Sequence, residues 1–294
     1  MIRFAEIAVG TGGGVRCARC HGAPAPARYS ATLGVARDIE AAVGSWSGAP
    51  GPNIALTGPD PFGHPDLPAL VSAAVRAGAQ RLRIHTSAAA LRSPQNAAGS
   101  IGAGVRHLSF VLLGGTAGVH DALVDEPGSL DALIAGVRSY RAAAQAEDVA
   151  VCVTAVIPAC RHNLRDLPAA VGCAVDIGAD AVLVTVEDGG ADLSHALPWL
   201  TAACDTGVVN GVWVELGGAP FCMLEGYDLH LTDAVREREG SKSPVCAECA
   251  LDPWCGGGPP DSSSEIVGAL RPPHFARRLA PSVARAREGA QRDG

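Results

Sequence analysis

Lysine is almost missing from this 294-residue chain: Lys242 is the only one, and arginine carries the rest of the positive side-chain charge. Together with abundant Ala and Gly this bias reads as GC-rich coding, and no function is drawn from it. Positive charge is itself short, since 23 Lys and Arg face 30 Asp and Glu, for a net charge of −7. A basic surface able to neutralise phosphates is therefore not expected, which argues against nucleic acid as a partner. Long apolar runs are lacking too: no stretch approaches a membrane span, so no membrane partner is expected. The first residues lack the basic segment and apolar block of a signal peptide, and the expected location is cytoplasmic. No internal repeat is visible. No Gly-Lys-Ser/Thr exists for a phosphate loop, and a dinucleotide fingerprint beginning at Gly10 would need glycine where Val15 stands.

What the chain has is core-forming residues, at 48% hydrophobic content. That suits one large α/β domain with an appendage, or two modest domains. Strand-like runs fall at Arg3–Val9, Asn53–Thr57, Arg81–Thr86, His107–Leu113, Ala150–Ile157, Ala181–Val186 and Val212–Leu216. Amphipathic segments lie between them, at Val35–Val43, Leu67–Ala77, Leu130–Ala144, Leu164–Ile177 and Leu197–Ala203. Pro65-Asp66 and Ser129 mark helix starts. Strands alternating with helices predict βαβ units on a parallel sheet. An open partial barrel or a doubly wound sheet fits the count. After Leu216 the rhythm stops; residues 217–262 are rich in Gly, Pro and Cys, and 272–290 read as an Arg-rich helix or tail.

Ten cysteines without a signal peptide point to metal sites rather than a disulfide framework. Cys152, Cys160, Cys173 and Cys204 stand singly in apolar text and read as small buried hydrophobes. Cys17 and Cys20, then Cys222, Cys246, Cys249 and Cys255, sit in loop-like text beside Gly and Pro. Cys17-x-x-Cys20-His21 also matches a c-type haem attachment pattern, which needs export. A thioredoxin-like dithiol stays open, because the pair follows a strand. Cys246-x2-Cys249-x5-Cys255 with Cys222 offers four thiolates, a full set for a 4Fe–4S cluster or for tetrahedral zinc.

The text from Ile7 to Cys20 resembles the CxxxCxxC loop of radical S-adenosylmethionine (radical SAM) enzymes, with Gly13 at the first cysteine position. Further along, Ile54 to Pro61, with Gly58-Pro59-Asp60-Pro61, resembles the strand and GGEP motif that holds the SAM amino group in that family. His85-Thr86-Ser87-Ala88 sits where the family has a Thr-Asn-Gly strand end. Gly114 to Asp121 with Pro127-Gly128-Ser129, and Val153–Pro158 with Arg161 to Leu164, resemble the fourth and fifth βα connections. The Cys222 to Cys255 set is similar to the SPASM or twitch appendage of radical SAM maturases.

The resemblance implies a partial (β/α)6 TIM-like barrel over 1–216, a cysteine-rich auxiliary-cluster module over 217–262 and a tail over 263–294. It implies metal at Cys17 and Cys20 and at Cys222, Cys246, Cys249 and Cys255, as 4Fe–4S clusters, with zinc an alternative at the C-terminal set. SAM would meet Gly58, Asp60, Pro61, Thr86 and Ser87. Three departures fall on that site: Gly13 offers no thiolate, Asp60 is a methylene shorter than Glu, and Val111 and Leu113 stand where the family places polar groups toward the SAM ribose. The expected N-terminal site is thus degenerate, with SAM bound weakly or not at all and the third ligand of Cys17 and Cys20 coming from elsewhere. Two functions follow: an iron–sulfur enzyme acting on a peptide, small-molecule or natural-product substrate, or a non-catalytic partner subunit of an intact radical SAM enzyme. His64, His120 and His162, at strand-to-helix connections, and Glu187 and Asp188 are further candidates for ligand contact or for capping, packing and solvation.

Overall fold

Side-chain alternation builds the first layer. Along Arg81–Thr86, Leu82, Ile84 and Thr86 are buried, while Arg81, Arg83 and His85 are half-buried. A strand places alternate residues on opposite faces. Leu82 and Ile84 therefore join the apolar core with Leu70, Val71, Ile101 and Tyr140, and the other face points away from it. On that face Arg83 lies over the Phe4 ring, 3.9 Å from its centroid.

The structure, a computed structural model, describes residues 4–15, 17–21, 25–47, 51–186, 193–224, 226–231, 242, 244–248, 255 and 257. The elements are β1 (Ala5–Ala8), β2 (Gly10–Thr11), α1 (Ala18–His21), β3 (Arg28–Tyr29), α2 (Thr32–Gly44), β4 (Asn53–Thr57), α3 (Leu67–Ala77) and β5 (Arg81–Thr86). Then follow α4 (Pro94–Gly102), β6 (His107–Val111), α5 (Ala117–Val124), α6 (Ser129–Ala146), β7 (Cys152–Ala159), α7 (Leu167–Ile177), β8 (Ala181–Val186), α8 (Leu193–Val209) and β9 (Trp213–Gly217). Seven strands form one sheet in the order β1-β4-β5-β6-β7-β8-β9, every neighbouring pair parallel. The order follows the chain, so each crossover adds the next strand to the same edge. The result is an α/β fold of the open, TIM-like partial-barrel type rather than a doubly wound sheet, whose strand order would reverse.

The predicted strands Asn53–Thr57, Arg81–Thr86 and Ala181–Val186 and the helix Leu67–Ala77 are found with those bounds. Unforeseen elements are the antiparallel ribbon of β2 and β3, and the short helices α1, α4 and α5. After β9 the described residues form short 3-10 turns, including Phe221–Met223 and Pro244–Glu248. The predicted tail, 263–294, and most of 232–262 lie outside the described residues. Among the described residues no helix is long and apolar enough to cross a membrane.

Helix α5 has a direct use: it caps the next helix. The Asp121 carboxylate accepts hydrogen bonds from the backbone N–H of Gly128 (2.6 Å) and Leu130 (2.9 Å) and from the Ser129 hydroxyl (2.9 Å). These include first-turn donors that α6 cannot satisfy internally. Asp121→Ala is expected to lower stability by about 1 kcal/mol, the usual loss of a helix cap, measured as a shift in urea midpoint at unchanged slope. An unmoved midpoint would show that water replaces the carboxylate without loss.

Candidate metal centre

Parallel strands send their C-terminal ends to one rim, where barrel chemistry is normally built. Here that rim collects the residues after β1, β4, β5, β6 and β7. The loop carrying Cys17 and Cys20 hangs from the β2–β3 ribbon and begins with Gly12, Gly13 and Gly14, whose φ values are 71°, 58° and 82°. Such left-handed backbone is easy only for glycine. A Cβ on Gly13 would lie 3.1 Å from the Ala27 Cβ and 3.4 Å from the Pro59 Cα, and one on Gly14 would lie 3.3 Å from the Gly58 carbonyl oxygen. The cysteine loop therefore rests against the Gly58-Pro59 end of β4.

Three sulfurs meet beside it. Cys17 and Cys20 are joined as a disulfide, and the Cys160 thiol lies 3.7 Å from the Cys17 sulfur. The sulfurs of Cys17, Cys20 and Cys160 all lie within 4.8 Å of one another, the one such group among the described residues. Cys17 and Cys160 are buried and Cys20 is half-buried. Val111, Leu113 and Leu123 form their apolar wall, joined at the edge by Val15, Val119 and Val124. Val111 and Leu113, which stand where the resembled family places polar groups, are buried in one cluster with Cys17 and Cys160. The expectation of a small buried hydrophobe holds for the burial of Cys160, whose neighbours nonetheless include sulfur, while Cys152 and Cys173 are only half-buried. Cys204 fits it well, since burial, aided by Asp205, pushes its thiol up to about 12 and keeps it neutral.

Cys160 is held by Asn163, a buried side chain of the connection that follows β7. Its Oδ1 accepts from the Cys160 N–H at 2.8 Å, and its amide nitrogen donates to the carbonyls of Pro158 (2.8 Å) and Leu113 (3.0 Å). The turn after β7 is thereby tied to the end of β6. Position was the available signal for both residues: Cys160 directly follows a strand, at the rim, and Asn163 lies three residues further on.

Asp60, Thr86 and Ser87 form a second cluster on the rim. Thr86 Oγ1 donates at 2.8 Å to either Asp60 oxygen, and Ser87 reaches Oδ2 through its N–H (2.9 Å) and hydroxyl (2.5 Å). The Phe62 N–H bonds Oδ1 at 3.1 Å, so Asp60 also caps the 3-10 turn that starts at the buried Pro61. Below this cluster, burial holds the His85 imidazole below its ordinary pKa, and its Nδ1 lies 3.1 Å from the Ser109 hydroxyl.

The other histidines divide. His64 is buried, with Nδ1 accepting from the Asp66 N–H and Nε2 facing the Ser30 carbonyl, both at 3.1 Å. His120 is buried and accepts from the Leu113 N–H at 3.1 Å. Both are internal braces. His162 is exposed. Glu187, Asp188 and Cys249 lie outside the described residues, while Cys222, Cys246 and Cys255 are each buried.

Fold and site together define a partial barrel with three cysteine sulfurs gathered at its C-terminal mouth. No family model matches the sequence, and no curated protein matches it. Among solved structures, Streptococcus suis SuiB bound to precursor peptide SuiA matches with a TM-score of 0.56 at 12% identity, over 75% of this chain and 50% of that one. SuiB bound to S-adenosylmethionine matches with a TM-score of 0.56 at 13% identity, over 81% and 54%. The chain thus spans about half the length of the SuiB chains. At these identities the likeness establishes the barrel fold.

Proposed function

We propose that this chain is an iron–sulfur protein of the radical SAM type that acts on a peptide. The observation that carries this reading is the convergence of cysteine sulfurs at the barrel mouth beside the Asp60–Thr86–Ser87 cluster. Sulfur is the donor that iron–sulfur clusters take, and the apolar wall of Val111, Leu113 and Leu123 suits a water-poor centre. That a protein of this barrel fold has been solved with SAM and with a precursor peptide supports both ligands. When bound, cluster and SAM together supply one-electron chemistry that removes a hydrogen atom from the substrate. The chain's own part is to seat them: Gly58 leaves room at the end of β4, and Asp60, Thr86 and Ser87 offer SAM polar contacts. Cys222, Cys246, Cys249 and Cys255 are proposed to hold a second metal centre, iron–sulfur or zinc, in a SPASM- or twitch-like appendage.

One observation favours a second reading, the non-catalytic partner subunit. The Asp60 oxygens already accept from the Phe62 N–H and from both Thr86 and Ser87. A ligand ammonium must displace a hydroxyl donor to reach them, which favours weak SAM binding. Anaerobic iron and sulfide analysis with electron paramagnetic resonance, with and without SAM, separates the readings. A cluster signal perturbed by SAM is expected for the enzyme, and a signal indifferent to SAM for the subunit. A chain holding neither iron nor sulfide would sink both.

A further inference from the structure

We propose that Cys160 is the third thiolate of the mouth cluster, supplied from the turn after β7 in place of a ligand that the Cys17–Cys20 loop does not contain. The inference rests on the iron–sulfur reading above and fixes how that centre is held. Four observations carry it. The Cys160 sulfur stands 3.7 Å from that of Cys17 although the two residues are 143 positions apart. All three sulfurs fit within 4.8 Å, so one metal centre can reach them with small side-chain adjustments. Asn163 fixes the backbone of Cys160 from both sides of its turn, which is the support a ligand needs to be held in place.

The fourth observation concerns Gly13. Its φ of 58° and the 3.1 Å approach of the Ala27 Cβ to a Cβ there make any side chain at the position strained and tightly packed. The loop is therefore built to rest on Gly58 and Pro59, with its ligand count completed across the barrel mouth. Gly13 marks a relocated ligand rather than a missing one.

Loading requires the Cys17–Cys20 bond to open. A dithiol reductant gives two electrons and two protons to the disulfide and leaves as its own disulfide; each protein thiol then releases its proton as it binds iron. The loaded centre ties the β1-side loop to the β7–α7 turn, so binding and local order are coupled.

The test reconstitutes the full chain anaerobically with ferrous iron, sulfide and dithiothreitol, and reads iron and sulfide per chain, visible absorption and melting temperature. Cys160→Ser is expected to lose as much iron as Cys17→Ser, with any iron held by the C-terminal cysteines remaining in both, and the double variant no more than either alone, because sites acting as one unit are not additive. Gly13→Cys should neither add iron to the wild type nor restore it to Cys160→Ser, and Cys152→Ser should keep the wild-type content. Should the serine variant fold poorly, hydrogen exchange of the wild type replaces it: loading is expected to slow exchange at residues 160–164, and no change there overturns the proposal. Iron retained in Cys160→Ser but lost in Cys17→Ser also overturns it, while leaving the iron–sulfur reading intact. Zinc in place of iron and sulfide, lost in both variants, would uphold the ligand set and sink the iron–sulfur reading.

Discussion

Asn163→Ala is expected to destabilise the folded chain by at least about 3 kcal/mol, since three buried backbone groups lose their partner at about 1–3 kcal/mol each. Those groups are the Cys160 N–H and the carbonyls of Pro158 and Leu113. The side chain is 2% exposed, so solvent is poorly placed to substitute. Asn163→Asp should fare little better at neutral pH. It keeps an acceptor for Cys160 but turns a second oxygen toward two carbonyl oxygens that need a donor. Urea unfolding gives the measurement, and a loss below about 1 kcal/mol would mean that a water fills the gap with all three bonds intact. The pair of variants also separates shape from hydrogen bonding, because Asp and Asn are nearly isosteric.

A second large effect is a loss of stability in mild acid. His120 is 2% exposed, and burial pushes its imidazole down to about 4, with the Asp121 carboxylate pulling weakly the other way. Its Nδ1 accepts the Leu113 N–H, so the neutral ring carries its proton on Nε2, and protonation would set a donor against a donor. The sign follows from linkage. As pH falls through about 6.5 the unfolded chain takes up a proton that the folded chain refuses until about pH 4, so stability is full above that window and falls across it. The gap of roughly 2.5 pH units corresponds to about 3 kcal/mol. His120→Asn, whose Oδ1 can take the acceptor's place, should be less stable at neutral pH yet lack this slope. Denaturation midpoints of both proteins from pH 7.5 to pH 4 provide the comparison, and parallel profiles would show that His120 is not the titrating group.

Much of the barrel was legible because its signals are local. The alternation in Arg81–Thr86 and the apolar run of Ala181–Val186 need no distant partner to be read. The start of helix α3 is legible in Pro65-Asp66, with Asp66 at its N-cap, and the helix ends at Gly78 in the left-handed conformation that stops helices. The omissions have physical reasons. Pro94–Gly102 carries two glycines, an asparagine and a serine, a weak helical text stabilised by Ala97 and Ile101 against the core. Ala117–Val124 starts with Ala-Gly and was absorbed into the connection around it. The ribbon of β2 and β3 has only two residues a strand, too few for any pattern.

The site was half legible. Asp60, Thr86 and Ser87 were singled out and do meet, though mainly to bond one another. Cys160 was not singled out, because Ile157-Pro158-Ala159-Cys160 looks apolar along the chain and a sulfur neighbour 143 positions away leaves no mark on it.

That separation has a consequence for how the protein comes into being. A ribosome adding roughly 5–20 residues per second needs on the order of ten seconds to pass from the first two cysteines to the third. Until Cys152 is made, late in that interval, Cys17 and Cys20 have only each other as sulfur partners within the chain, and the strand that delivers Cys160 has yet to join β6. No fragment ending before β7 can assemble the three-sulfur group, however well its own part folds. The trio is thus a record of synthesis past β7: it exists in chains whose fifth sheet strand is already in place.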